Sequence, residues 1–196
     1  MTPSFSICVY CGSRPGERPE FSAAAEAVGR WIGERHGQLV YGGGRSGLMG
    51  IVAEATRVAG GRVVGIIPQA LVDLELANRD SDELHIVENM HQRKAMMGER
   101  ADAFLTLPGG IGTFEEMFEI WTWRQLGYHD KPIGLLNVSG YYDGLLDFLT
   151  QSVRDGFMSP WQMDLIRTDA TIDSLLPWLI SHPGDPTPPG TLAKAI

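Results

Sequence analysis

The strongest constraint on how this chain can fold is an alternation. Short runs rich in β-branched and aromatic residues (SICVYC, QLVY, RVVGII, ELHIV, AFLTL, PIGLLNV and, more weakly, LIRT) are separated by stretches of helical periodicity at 21–35, 48–58, 91–100, 113–126, 141–154 and 172–180. A run that is apolar at every position makes a strand buried on both faces, and helices between successive strands can cover both faces only if the strands run parallel. The expected architecture is therefore α/β, a doubly wound, Rossmann-like parallel sheet with helices on both faces, in one domain over 1–181. The tail 182–196, HPGDPTPPGTLAKAI, is too rich in proline and glycine to pack regularly and is expected to be disordered. In such sheets ligands sit beyond the carboxyl ends of the strands, so the loops that follow strands carry the function.

Charge narrows the partner. A formal net charge of −8 disfavours a nucleic acid, whose binding needs a broad basic surface, but is compatible with one phosphate on a small ligand. The apolar runs are too short to cross a bilayer, and the N-terminal MTPSFSICVYCG lacks the basic start and apolar core of a secretory signal. The expectation is a soluble cytoplasmic protein without a membrane partner. Cys8 and Cys11, spaced as CxxC on a strand, should point to opposite faces, and no further Cys or His pair completes a zinc set, so neither a disulfide nor a metal is expected.

Three stretches carry chemistry. YGGGRSGLMG places Gly42, Gly44 and Gly47 in the GxGxxG spacing of a dinucleotide site, yet the following strand, RVVGIIPQA, offers no carboxylate for the ribose of NAD. Tight-turn packing and direct ligand contact both stay open for these glycines. PGGIGT follows AFLTL and opens a helix; Gly109, Gly110 and Gly112 let main-chain N–H groups face an anion at the helix N-terminus, with Thr113 as the obvious hydroxyl. It lacks the lysine of a P-loop. Thr113 and Glu116 also fit the T-x-x-E capping box, in which Glu116 would reach back to the helix start, and the spacing alone favours that reading. In NMHQRKAMM, Asn89 is a plausible N-cap, which places Arg93 and Lys94 by the first turn, where cations oppose the helix dipole. A charge set against its local preference needs a partner, either a ligand or a carboxylate such as Glu88 or Glu99.

PGGIGTFEE, with MHQRKAMM upstream, GGGRSGLMG before both and CVYCGSRPG at the start, resembles the Lonely Guy (LOG) family of cytokinin riboside 5′-monophosphate phosphoribohydrolases, often loosely labelled lysine decarboxylases. The resemblance runs to about Arg167. It implies hydrolysis of the N-glycosidic bond of an adenosine 5′-monophosphate, plain or N6-modified, to free base and ribose 5-phosphate, without a metal or organic cofactor. It implies Arg93 and Glu116 as catalytic residues, and substrate contacts from Glu75, Arg93, Lys94, Gly109, Gly110, Ile111, Gly112, Thr113, Phe114, Glu115 and Thr122. A carboxylate one helical turn beyond a phosphate site would face the sugar, where positive charge develops as the bond to the base breaks. Glu116 is expected there, positioning water, with Arg93 orienting the nucleotide and assisting the leaving group. A non-catalytic carrier of the same fold, such as a molybdenum-cofactor carrier, is the alternative; it would need the anion cradle but not the Arg93–Glu116 pair. The helix after PGGIGT carries Phe114, Met117, Phe118 and Trp121 on one stripe and Ile120, Trp123 and Leu126 on another; a homodimer, as the family resemblance implies, would bury the second stripe, with burial within one chain the alternative.

Overall fold

The computed structural model of the chain describes residues 2–74, 76–182 and 184. Seven strands form one parallel sheet: β1 (Ser6–Tyr10), β2 (Gln38–Tyr41), β3 (Arg62–Pro68), β4 (Glu83–Val87), β5 (Ala103–Thr106), β6 (Ile133–Leu136) and β7 (Ile166–Asp169). The helices between them are α1 (Pro19–Glu34), α2 (Gly47–Val58), a single turn α3 (Gln69–Val72), α4 (Met90–Glu99), α5 (Ile111–Gln125), α6 (Asp143–Arg154), a second single turn α7 (Pro160–Met163) and α8 (Ile172–Ser181). The expected α/β class and doubly wound sheet are what the chain adopts. Of the tail 182–196, all but His182 and Gly184 lies outside the described residues.

Strand order is β4-β3-β2-β1-β5-β6-β7. The chain winds outward from β1 to β4, returns to pair β5 against the other side of β1, then winds outward again. That reversal opens a crevice at the carboxyl ends of β1 and β5, where the two following loops diverge.

The period-2 geometry of β1 divides the core. Ile7, Val9 and Cys11 join a cluster with Val28, Ile32, Leu48, Val52 and Leu175 from α1, α2 and α8. Cys8 and Tyr10 face the opposite cluster with Met97, Ile120, Trp121 and Leu149 from α4, α5 and α6. The two cysteines are thus buried, free and on opposite faces of the sheet. Leu39, Leu105 and Phe104 are fully buried; truncating such a side chain to alanine typically costs about 2–5 kcal/mol, so the frame that carries the crevice loops is rigid.

Candidate active site

The crevice is a cleft of about 630 Å³. One wall is the loop after β1, from Cys11 to Gly16; the other is the loop after β5, Pro108 to Gly110, with the start of α5; Met49, Leu71, Met90 and Arg93 close it from the β2–β4 side. A larger groove of about 830 Å³ lies on the outer surface of α1 and α2, but its carboxylates Glu26 and Glu54 are paired with Arg30 and Arg57 on the same helices. The rest of its lining is mostly helix surface, with Pro15 and Arg45 at one end.

At the head of α5 the capping-box reading is overturned. The helix starts at Ile111 with Gly110 as N-cap, and no side chain caps it. Thr113 therefore sits inside the first turn, and Glu115 and Glu116 fall in the second, so no acidic residue occupies the first turn. The chain leaves β5 through a bend at Pro108, and Gly110, in extended conformation, sets up the helix start. The first N–H groups of α5 face the cleft without an intramolecular cap, which is the arrangement that receives an anion. Behind the loop, Tyr141 Oη donates to the Gly109 carbonyl at 2.6 Å and Tyr142 Oη to the Leu107 carbonyl at 2.7 Å, so two consecutive tyrosines fix the peptide planes of the cradle.

Asn89 caps α4 as expected, accepting from the Gln92 N–H at 3.0 Å. Arg93 then extends inward across the carboxyl ends of β2 and β3. Its Nε donates to the Ile66 carbonyl at 3.1 Å, its Nη2 to the Gly42 carbonyl at 3.0 Å, and its Nη1 lies 3.3 Å from Glu116 Oε1. The partner demanded by its awkward position is Glu116, not Glu88 or Glu99. Both residues are buried yet line the cleft. Burial pushes the Glu116 carboxyl up to about 7, the Arg93 charge opposing that rise and Glu115 adding to it. The carboxylate is therefore poised to change charge near neutrality, as acid–base groups must.

The glycine triplet finds its purpose at the same place. A Cβ on Gly42 would stand 1.7 Å from Arg93 Nη2, so only glycine lets the guanidinium reach its carbonyl seat. Gly47, at φ +61°, packs against the Ser13–Arg14 backbone. Close approach accounts for Gly42 and Gly47, and neither Gly42 nor Gly44 lines the cleft.

The structure brings together Arg93, Gly109, Gly110, Ile111, Gly112, Thr113, Glu115 and Glu116 around the cleft. Three other residues implicated by sequence lie elsewhere. Lys94 turns away, its ammonium held by Glu115 and, at 2.9 Å, by Glu119; burial acts to lower its pKa, but the two carboxylates hold it above the usual lysine value. Phe114 packs edge-on to Tyr142, and Thr122 is exposed with its hydroxyl on the Phe118 carbonyl. Glu75 lies outside the described residues. Sequence reading passed over Cys11 and Arg14, which also line the cleft. Burial pushes the Cys11 thiol up, which keeps it neutral and a poor nucleophile.

A family profile described as "Possible lysine decarboxylase" matches residues 49–178. The chain is 48% identical over 170 residues to the Arabidopsis thaliana cytokinin riboside 5′-monophosphate phosphoribohydrolase LOG3, covering 87% of this chain and 79% of that one. It is 44% identical over 189 residues to LOG5 of the same plant, covering 96% and 82%. The chain belongs to the LOG family. Among solved structures, the molybdenum cofactor carrier protein of Chlamydomonas reinhardtii superposes with a TM-score of 0.68 over 99% of both chains, at 18% identity. The molybdenum cofactor binding protein of Rippkaea orientalis does so with a TM-score of 0.64, at 19% identity and 87% and 91% coverage. At that identity the LOG chain shares a fold with the carriers and nothing further follows.

Proposed function

We propose that this LOG-family chain hydrolyses the N-glycosidic bond of adenosine 5′-monophosphates, including N6-modified ones, releasing free base and ribose 5-phosphate. The observation that carries the reading is the buried Arg93–Glu116 pair, 3.3 Å apart, in a cleft whose other wall is an uncapped helix N-terminus. The 5′-phosphate sits on the N–H groups of 111–113, and Glu116, three residues or about 4.5 Å of helix beyond Thr113, faces the pentose. As the bond from C1′ to the base nitrogen breaks, its electron pair leaves with the base, which takes up a proton from solvent, and positive charge spreads over C1′ and the ring oxygen. Ionised Glu116 stabilises that charge more than it stabilises the ground state and accepts a proton from the water that attacks C1′. Arg93, held in its carbonyl seat, orients the nucleotide and offers positive charge to the departing base. Gly109 to Thr113 and Glu115 surround the phosphate and ribose in this proposal, with Glu75 retained as a family-implied contact, whereas Lys94, Phe114 and Thr122 are engaged outside the cleft.

Incubation with AMP and detection of free adenine tests the reading, and the Glu116→Gln variant should retain nucleotide binding while losing turnover. AMP bound but never cleaved by the unaltered protein would instead favour a carrier. Decarboxylation of lysine gains no support: the described lysines, Lys94 and Lys131, are engaged by Glu115 and Glu119 and by the Gly98 carbonyl, and neither lines the cleft. The proposal includes a homodimer, supported by large exposed apolar side chains such as Ile111, Phe148 and Phe157, and a cytoplasmic location, consistent with two free cysteines. Light scattering and cell fractionation test these two points.

A further inference from the structure

Four charged residues line the cleft: Arg14, Arg93, Glu115 and Glu116. Three are engaged, Arg93 with Glu116 and Glu115 with Lys94. Arg14 is exposed and has no ion pair or side-chain hydrogen bond among the described residues. We propose that Arg14 is the cation that recognises the 5′-phosphate and makes the cleft selective for nucleotides over nucleosides. This rests on the hydrolase reading above and gives a role to Arg14, a residue of the CVYCGSRPG run.

The cradle at the head of α5 supplies direction but little charge. Its N–H groups amount to a fraction of a unit charge, PGGIGT has no lysine, and Lys94 is spent on Glu115 and Glu119. A phosphate dianion brought to this helix also meets Glu115 and Glu116 one turn further along, so a compensating cation has to come from outside α5. The loop after β1 is placed to provide it. The Gly12 N–H donates to the Pro108 carbonyl at 3.0 Å, and Gly12 accepts from the Leu48 N–H at 3.0 Å. The point where a Gly12 Cβ would stand lies 2.9 Å from the Arg14 carbonyl and 3.3 Å from the Gly109 Cα, so the root of Arg14 is set beside the cradle. Gly47 also packs against that root, 2.4 Å from its own Cβ position to the Arg14 nitrogen. The backbone is closely packed at its root while the guanidinium stays free, and its planar fork suits phosphate oxygens.

The test is steady-state hydrolysis of AMP and of adenosine by the unaltered protein, Arg14→Ala and Arg14→Lys, with calorimetric titration of ribose 5-phosphate into each. Loss of one charge-assisted phosphate contact should raise KM for AMP and weaken ribose 5-phosphate binding about tenfold or more. The kcat should stay within about twofold, the slow rate on adenosine should be unchanged, and lysine should restore most of the affinity and its salt dependence. An Arg14→Ala protein with unchanged KM and ribose 5-phosphate affinity overturns the role of Arg14 while leaving the hydrolase reading intact. Equal losses on AMP and adenosine overturn it too, because they indicate a structural effect. An unaltered protein that neither cleaves AMP nor binds ribose 5-phosphate overturns both.

Discussion

Arg93 and Glu116 meet 3.3 Å apart at the floor of the cleft, one arriving from α4 and the other from α5. Burial keeps the carboxyl near the point of half-ionisation, at about 7, even though a guanidinium stands beside it. If the ionised form carries the reaction, kcat/KM for AMP rises with pH through about 7 and levels above it. A profile already flat from pH 5 upward would show that Glu116 is not the group that must lose its proton.

The same shift has a consequence for stability, with a definite sign. The folded-state pKa, about 7, stands above the ordinary value of 4.5, so between these the folded protein holds the proton more tightly than the unfolded chain. The stability gained is fully present below about pH 4.5 and is lost as pH rises through 7. Glu116→Gln carries no such dependence, so relative to the unaltered protein it should gain roughly 1–3 kcal/mol between pH 5 and pH 8. Urea unfolding of both proteins at the two pH values measures this; parallel responses would contradict it.

Gly42→Ala adds a methyl group 1.7 Å from Arg93 Nη2, where the neighbour is the functional head itself. We expect kcat to fall at least a hundredfold, the scale of a misplaced catalytic group. Gly44→Ala is the control: its new atom meets only the flexible end of Met49, and activity should fall less than about threefold. Similar losses in both variants would mean that the glycine triplet acts through general loop structure.

The loop glycines of PGGIGT separate fold from ligand. A Cβ on Gly109 would clash with Thr113 Oγ1 at 2.1 Å and the Gly12 nitrogen at 2.8 Å, whereas one on Gly112 meets nothing within 4 Å. Gly109→Ala should lower the melting temperature by several degrees, as expected for about 1–3 kcal/mol of overpacking in a chain of this size. Gly112→Ala should melt like the parent but show KM for AMP raised several-fold if a phosphate approaches the helix start. An unchanged KM would place the anion elsewhere.

Sequence made the sheet legible because the interior strands are mostly apolar runs bounded by polar residues, and β1, β2 and β5 are buried along almost their whole length. The single turns Gln69–Val72 and Pro160–Met163 escaped because four residues carry no period. T-x-x-E fits a cap and so marks Thr113 as the head of α5; the glycines before it let the helix begin at Ile111 instead. Arg93 was visible as a charge in the wrong place, but its partner lies on another helix and its seat on two strands, and no spacing rule reaches that far. Lys94, its neighbour by one position, projects to the other side and finds α5 carboxylates. Arg14 lies in the CVYCGSRPG run, but a lone cation in a β1 loop breaks no local rule and so carries no sign of its role.

The guanidinium of Arg93 hangs from carbonyls on the β2–β3 half of the sheet, while Glu116 rides on the helix that follows β5, across the seam. The pair therefore exists only while the β1–β5 pairing holds the two halves in register, so on heating the protein should keep its chemistry until the sheet itself gives way.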